Sequence, residues 1–231
     1  MTMVMFNETE ASQARLAKSF SNMTQSSKAT VGQREKNRRD KHHRIVVAAG
    51  SLFTSKGVEG TSTSEIARKA GVAKGTLFLY APNKADLLFM VMHDRLEQTV
   101  DEAIATLPKR KAFVPQMLHL FKALYVMYGA SGSMGRELVR SLPGASGPNA
   151  QRVNALTFAF VHRLAGLVVE AQRKREIRSD VVPLEAAQNL FALYFAGLMA
   201  WLQGFMTIDQ AHEQLLARSL DLQFRGLKGT R

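Results

Sequence analysis

The stretch STSEIARKAGVAKGTLFLYAPNKADLL, residues 62–88, decides the fold of this chain. Ser62 is followed three residues later by Glu65, a capping box that predicts the start of a helix at the next residue. Gly71 predicts the end of that helix, because glycine adopts the left-handed conformation without a steric penalty. A second short helix is expected over residues 73–80. Two short helices around a glycine turn are typical of a helix-turn-helix, whose second helix lies in the DNA major groove.

The outward residues of the second helix have the chemistry of DNA contacts. Lys74 offers a point charge, Thr76 and Tyr80 each offer a hydroxyl, and Gly75 lets two backbones approach closely. A Pro-Asn pair then breaks the chain, and the next helix opens at Lys84. A cation in a first helical turn opposes the helix dipole, and a phosphate bound at the same place would account for it.

A further helix is predicted over residues 40–55, where apolar residues recur every three or four positions. Residues 34–44, just before and into it, carry six cations and two acids. Arg38 and Arg44 in this run are candidate DNA contacts, on an arm that grips phosphates or enters the minor groove. A solvated basic run before a helix is the alternative. The polar composition of residues 1–36 predicts a disordered basic tail.

The block from Lys41 to about Leu88 resembles the DNA-binding domain of the tetracycline-repressor (TetR) family. The matches follow one another in a single order and spacing, which makes the signal far more specific than a lone helix-turn-helix pattern. The matching segments are AAGSLF (48–53), KG (56–57), GTS (60–62), EIA (65–67), AGV (70–72), KGTL (74–77), Tyr80 and KADLL (84–88).

The resemblance implies roles for individual positions. In the family, residues at seven of these positions contact operator DNA, mostly its phosphates: Thr61, Ser62, Lys74, Gly75, Thr76, Tyr80 and Lys84. The chain departs from the pattern at Phe78 and Leu79, where the family often has Tyr or His, and at Ala81, where it often has Phe. Leu79 can touch a thymine methyl group, so it is also a candidate contact, but it cannot read guanine or adenine edges.

Charge and composition agree with this interpretation. The chain has 231 residues, is 46% hydrophobic, and carries a net charge of +12 with a pI near 10.2. Such a charge favours polyanions, although it also fits a membrane surface. The chain has no cysteine, which excludes disulfides, thiolate metal sites and a cysteine nucleophile. We expect a cytoplasmic protein, and no signal peptide is predicted.

The rest of the chain predicts helices and no strand. The fold class is therefore all-α: an N-terminal three-helix helix-turn-helix domain, then a C-terminal helical domain for ligand binding and dimerisation, with about nine helices in total. The later helices are expected over residues 85–107, 113–128, 136–142, 149–175, 183–204 and 209–226. The expected domains are residues 1–36 (tail), 37–88 (DNA binding) and 89–231 (ligand binding and dimerisation). Residues 129–148 contain five glycines and are expected to form a mobile ligand gate.

Residues 190–206 are almost continuously apolar, so a membrane span is a rival interpretation. A span needs about 20 apolar residues, and a helix buried on most sides fits this shorter run better. In the TetR family the last two long helices pair with those of a second subunit in a four-helix bundle, and this run resembles that element. The resemblance implies a homodimer and no membrane association. Small residues that would let the helices approach closely are Ala192, Ala196, Gly197 and Ala200.

The middle helices are expected to surround a ligand pocket, with apolar walls and a few polar groups. The alternative is that these side chains simply fill the core or pair within it. The candidate ligand-binding residues are Met117, His119, Phe121, Tyr125, Phe158, His162 and Trp201.

Catalysis is not predicted. The sequence has no Gly-rich cofactor loop, no nucleophile elbow and no cluster of His, Asp and Glu at metal-binding spacing, so no cofactor or metal is expected. The favoured function is a homodimeric repressor, released from a palindromic double-stranded operator by a largely apolar small molecule that binds between the fourth, fifth, seventh and eighth helices. The alternative is a ligand-independent or architectural DNA-binding protein of the same fold.

Overall fold

The structure is a computed structural model and describes residues 32–227. Within that range the ordered elements are all helices, so the predicted all-α fold is confirmed. The chain divides between Arg44 and Ile45 into two compact units. The prediction of a disordered tail falls mostly on residues 1–31, which lie outside the described residues.

In the smaller unit, residues 32–44 are helical, so the predicted helix start at residue 40 is wrong. Glu35 forms ion pairs with Arg38 at 3.5 Å and Arg39 at 3.6 Å, one helical turn away. Such pairs stabilise a helix, and the Gln, Glu, Lys and Arg of this segment are good helix formers. Arg38 and Arg44 therefore both lie on this helix, and their contact with DNA stays a prediction.

The larger unit begins with a compact three-helix domain. Ile45, Ala49 and Phe53 form one fully buried stripe of the first helix, and Ile66 and Leu77 of the next two helices are fully buried as well. These apolar positions are the ones that the sequence periodicity placed inside. The helices are α1 (residues 45–56), α2 (Thr63–Ala70) and α3 (Lys74–Tyr80).

The predicted helix caps are confirmed. The Ser62 hydroxyl accepts a hydrogen bond from the Glu65 backbone N–H, and the Glu65 carboxylate accepts from the Ser62 N–H at 3.0 Å. A hydrogen bond from Lys56, followed by those from Ser62, lowers the pKa of Glu65 to about 2. Gly71 ends α2 in the left-handed conformation, with φ 63°. The Asn83 side chain caps the next helix.

The C-terminal helices follow the predicted order, with ends that shift by a few residues. The main differences are an earlier start of the short helix after the glycine-rich turn and a π-helical stretch inside the last helix, which the sequence did not predict. They are α4 (Lys84–Ala105), α5 (Phe113–Ala130), α6 (Ser133–Ser141), α7 (Pro148–Arg173), α8 (Pro183–Leu202), α9 (Ile208–Gln210), the π-helical stretch Ala211–Leu216, and α10 (Ala217–Leu227).

Helix α4 links the three-helix domain to the rest of the larger unit. It packs against α5, α6 and α7, and α7 in turn packs against α8. The predicted domain boundary at Leu88 falls inside α4, which continues through it without a break. The division at this residue stays a prediction.

Helix α7 is long and apolar enough to cross a membrane by length and composition alone, and it is the one such helix among residues 32–227. Only 22% of its most apolar window is buried within the chain. The predicted rival, residues 190–206, lies mostly in α8 and does not meet the same criterion. Helix α8 is also less buried than expected, since Ala192 and Ala196 are exposed.

Candidate DNA-binding surface and ligand cavity

Helix α3 presents the outward face that the sequence predicted. Leu77 is fully buried, whereas Lys74 and Gly75 are exposed and Leu79 is 83% exposed. Thr76 is half-buried. The Lys74 ammonium lies 5.9 Å from the centre of the Phe78 ring, a residue that was not a candidate contact. The exposed face of α3 therefore presents a cation, the backbone of a glycine and two apolar side chains to a binding partner.

Gly75 leaves open space on this face. A Cβ built there would meet no atom within 4 Å, so nothing in the protein requires a glycine. Its backbone φ is not in the left-handed region. The exposed backbone at Gly75 leaves room for the close contact to DNA that the sequence predicts, and that contact stays a prediction.

We expect Gly75→Ala to stabilise the protein and to weaken its binding to DNA. Alanine in an exposed helix is favoured over glycine by about 1 kcal/mol, whereas a methyl group between two backbones costs about tenfold in affinity. Thermal unfolding and fluorescence anisotropy with labelled duplex measure the two effects. Gly50→Ala in α1 is the control, because its Cβ would make only an ordinary contact with Val91. A Gly75→Ala protein with unchanged DNA affinity contradicts the role.

Thr61 is placed differently from its predicted role. It is 2% exposed, and its hydroxyl donates to the carbonyl oxygens of Leu52 at 3.2 Å and Gly57 at 2.8 Å. The hydroxyl therefore ties the loop after α1 to that helix and is not on the surface that faces outward.

Ser62 and Lys84 line one open pocket at the start of α2. The pocket also contains Glu59, whose backbone carbonyl accepts from the Lys84 ammonium at 3.2 Å and whose carboxylate lies 3.8 Å from it. A phosphate that binds Lys84 would have to replace this partner. Exposed ion pairs are worth at most about 1 kcal/mol, so the exchange costs little.

Lys84→Ala is expected to weaken binding to all DNA sequences alike and to reduce the salt slope of log K by about one unit, because one phosphate contact is lost. The test is duplex affinity over a series of salt concentrations. Glu59→Gln is the matched variant: it removes the competing carboxylate and should leave the slope unchanged or steeper. An unchanged slope in Lys84→Ala would reject the phosphate contact.

A buried carboxylate joins the helix-turn-helix to α7. Asp86 is fully buried, and its Oδ1 accepts from the backbone N–H groups of Asn149 at 3.1 Å and Ala150 at 3.0 Å. Its Oδ2 accepts from the Asn149 side-chain amide at 2.8 Å, and that amide also donates to the Tyr80 carbonyl at 2.8 Å. This Asp86–Asn149 contact connects the end of α3, the first turn of α4 and the first turn of α7.

The Asp86–Asn149 contact acts as the N-terminal cap of α7. The residue before α7 is Gly147, which has no side chain to cap the helix and adopts φ 114°. A Cβ at Gly147 would collide with the Asp86 carboxylate. The carboxylate instead satisfies the first N–H groups of α7 and faces the positive end of its dipole. Sequence reasoning missed this pair, for which the uncapped Gly-Pro-Asn start of α7 was the available signal.

A partly open cavity of about 50 Å³ lies between α4, α5, α7 and α8, which is where the sequence predicts the pocket. None of its lining side chains is charged. Ligand sites usually measure about 300–1,000 Å³, so a ligand would have to push the lining side chains apart. The cavity is lined by Leu96, Val100, Leu124, Tyr128, Leu142, Val153, Leu156, Thr157, Phe160, Phe191, Tyr194, Phe195 and Leu198.

The polar atoms of the cavity wall are hydroxyls that already have partners. Those of Tyr128 and Tyr194 are hydrogen-bonded to each other, and burial raises the pKa of Tyr128 to about 12 and that of Tyr194 well above its ordinary value. The Thr157 hydroxyl donates to the Val153 carbonyl at 3.0 Å. The cavity therefore suits an apolar ligand.

The structure does not bring the seven predicted ligand residues together at this cavity. Met117, Phe121 and Tyr125 are buried in the core, where the Tyr125 hydroxyl donates to the Tyr194 carbonyl at 2.8 Å. His119 is half-buried and hydrogen-bonded to Thr106 at 3.0 Å.

The other three predicted residues lie outside the cavity as well. Phe158 is 72% exposed and His162 is exposed, since both lie on the outer face of α7, whereas the cavity is lined by its inner face. Trp201 is buried and lines a separate cleft. The residue types correctly indicated an apolar pocket. Which residues of each helix line it depends on how the helices pack, and the sequence pattern does not show that.

One group of possible metal ligands exists among the described residues, which corrects the expectation that no such cluster forms. Ligand atoms of His93, Asp94 and Glu97 lie within 4.8 Å of one another on α4. His93 Nδ1 is 3.0 Å from Asp94 and 3.3 Å from the Arg152 guanidinium. The positive charge of Arg152 at the same nitrogen disfavours a cation there.

A three-helix domain with the exposed helix α3, followed by a helical domain with an apolar cavity, is the architecture of a DNA-binding transcriptional regulator. Residues 45–91 match the family model described as bacterial regulatory proteins, tetR family. Residues 45–91 therefore form a DNA-binding domain of the TetR family of transcriptional regulators.

Similar proteins of known name support this assignment. The fatty acid metabolism regulator protein of Bacillus subtilis (strain 168) is 21% identical over 174 residues, which covers 75% of this chain and 90% of that protein. Thermus thermophilus FadR, a TetR-family repressor solved with lauroyl-CoA, has a TM-score of 0.60 at 24% identity over 80% of this chain and 91% of its own. Bacillus subtilis FadR, solved with stearoyl-CoA, has a TM-score of 0.55 at 20% identity, covering 79% and 95%. At these identities the likeness establishes the fold.

Proposed function

We propose that this regulator is a homodimeric repressor that leaves a palindromic operator when a fatty acyl-CoA binds. The observation that carries the proposal is the uncharged cavity between α4, α5, α7 and α8, whose chemistry matches an acyl chain. The complexes of two similar structures with lauroyl-CoA and stearoyl-CoA support the ligand class. Binding at the operator and release from it would take place in the cytoplasm, without a membrane.

The dimer would form through α7 and α8. Phe158 is 72% exposed on α7, and Ala192 and Ala196 are exposed on α8. Exposed apolar residues of both sizes on two helices that pack together suit close packing against the helices of a second subunit. Gly197, which the sequence placed on this face, instead faces inward, where a Cβ would collide with the Tyr125 hydroxyl.

In the dimer, two copies of α3 would enter successive major grooves, about 34–36 Å apart. The proposed contacts within the larger unit are Ser62, Lys74, Gly75, Thr76, Leu79, Tyr80 and Lys84. Arg38 and Arg44 are proposed to add phosphate contacts from the helix of residues 32–44.

Ligand binding would reach the DNA-binding domain through α7. Val153 and Leu156 of the cavity lie one and two turns after Asn149, so a displaced α7 would pull on the Asp86–Asn149 contact. That contact includes the carbonyl of Tyr80, the last residue of α3. A shift from 99% competent to 99% released requires a preference of about 5.5 kcal/mol for the released state.

Selection from a random duplex library, at roughly physiological salt and with random-sequence competitor, tests the DNA half of the proposal. Enrichment of a palindrome is the expected result. Binding without enrichment would favour the architectural alternative, with Phe78 and Leu79 as the apolar residues that fail to read base edges.

A further inference from the structure

A second, open cleft of about 820 Å³ lies where α5 and α8 end, on the side of α6. Its lining contains no carboxylate, but it contains one arginine, one tryptophan and several hydroxyl, amide and backbone groups. The lining residues are Gly129, Gly132, Ser133, Arg136, Trp201, Gly204, Phe205, Met206, Thr207, Ile208 and Gln210. The cleft therefore carries a positive charge on a mixed polar and apolar lining, whereas the cavity between α4, α5, α7 and α8 is uncharged.

The cleft adjoins the cavity along two helices. Leu198 lines the cavity and Trp201 lines the cleft, and these residues are separated on α8 by about 4.5 Å of helix rise. On α5, Tyr128 lines the cavity and the next residue, Gly129, lines the cleft. The buried side chains of Tyr128 and Trp201 thus stand between the two spaces.

Arg136 gives the cleft its charge. Its guanidinium carbon lies 4.7 Å from the centre of the Trp201 ring. Among residues 32–227 no carboxylate forms an ion pair with Arg136, whereas Arg140, one turn further along α6, pairs with Glu137 at 2.9 Å. A guanidinium without an acidic partner presents a fork of donors that matches a phosphate.

We infer that this cleft holds the phosphorylated head group of the acyl-CoA, with Arg136 on a phosphate and Trp201 moving to let the acyl chain into the cavity. The inference rests on the proposed function, because it assigns the second half of the same ligand. It explains why a cleft that contains an arginine without an acidic partner adjoins an uncharged cavity. It also gives the glycine-rich turn at Gly129 and Gly132 a place in the site.

A cation on α7 near the cavity makes the inference testable. Arg152 precedes the cavity residue Val153 on α7, and it already contacts His93 at 3.3 Å. A head group that leaves the cavity beside Val153 would depend on Arg152 and not on Arg136.

Calorimetric titration with lauroyl-CoA and with free laurate separates the possibilities, using Arg136→Gln, Arg152→Gln and the control Arg140→Gln. We expect Arg136→Gln to lose about tenfold or more in affinity for lauroyl-CoA, the size of one lost bond to a charged group. Its laurate affinity should be unchanged, and Arg140→Gln and Arg152→Gln should bind both ligands like wild type.

Trp201 is the single tryptophan of the chain, so its emission reports the cleft directly. We expect lauroyl-CoA to shift this emission in wild type and to shift it less in Arg136→Gln at equal concentration. If wild type binds lauroyl-CoA but Arg136→Gln is unaffected, the head-group assignment is wrong while the proposed function stands. If wild type binds neither lauroyl-CoA nor laurate, both are wrong.

Discussion

Phe158→Glu is expected to convert the dimer into monomers and to weaken operator binding by about 100-fold or more, because two linked half-sites gain avidity that a monomer lacks. Phe158 is 72% exposed in the single chain, and Ala192 and Ala196 of the neighbouring helix α8 are exposed as well. In the proposed interface the new carboxylate would be buried without a partner, which costs several kcal/mol. The fold of the subunit should be unaffected, since the side chain already lies outside the core.

Sedimentation and operator affinity measure the two effects, with circular dichroism to show that the variant is folded. Leu222→Glu on α10 is the matched control, because Leu222 is an equally exposed apolar residue, at 73%, away from α7. It should remain a dimer with unchanged affinity. A Phe158→Glu protein that stays dimeric, or a Leu222→Glu protein that becomes monomeric, would contradict the proposal that the dimer interface lies on α7.

Asp86→Ala is expected to lower the free energy of unfolding by about 3 kcal/mol, because three buried donors lose their acceptor. Two of these donors are the N–H groups of Asn149 and Ala150, and the third is the Asn149 amide. The methyl group of alanine restores none of the bonds, and water has no access to a residue that is fully buried.

Asp86→Asn should be the milder variant and the better test of coupling. Its oxygen can still accept from the first turn of α7, but its amide would face the amide of Asn149. We expect operator binding to persist while its sensitivity to acyl-CoA falls.

Denaturant unfolding measures stability, and Glu97→Ala, an exposed change on the same helix, should stay within about 0.5 kcal/mol of wild type. An Asp86→Ala protein as stable as wild type would contradict the claim that the Asp86–Asn149 contact holds α7 to the helix-turn-helix.

The features predicted correctly depend on residues close together in the sequence. Ser62 and Glu65 are three residues apart, and Gly71 ends its helix through its own backbone, so local rules were sufficient. The same rules placed the helix ends to within a few residues. The predicted start at residue 40 is wrong because the helix extends further towards the N-terminus. The ion pairs of Glu35 with Arg38 and Arg39, at spacings of three and four residues, stabilise this extension.

The features that the sequence did not predict depend on long-range packing. Asp86 and Asn149 are 63 residues apart, and the uncapped start of α7 indicates that a cap is needed but not which residue supplies it. Gly197 could face a partner helix or the core, and only the position of Tyr125 decides between them. Phe158 and Phe160 are two residues apart on α7, yet one is exposed and the other lines the cavity. Apolar residue type alone does not distinguish a ligand wall from a subunit interface.

The most direct test of the account is the affinity of the full chain for its selected palindromic duplex, measured with and without lauroyl-CoA. The account predicts that saturating lauroyl-CoA lowers the affinity by about 100-fold, within the usual range of allosteric coupling, while coenzyme A alone has little effect. An affinity that does not change at concentrations where lauroyl-CoA binding is saturated would contradict the claim that this regulator responds to an acyl ligand.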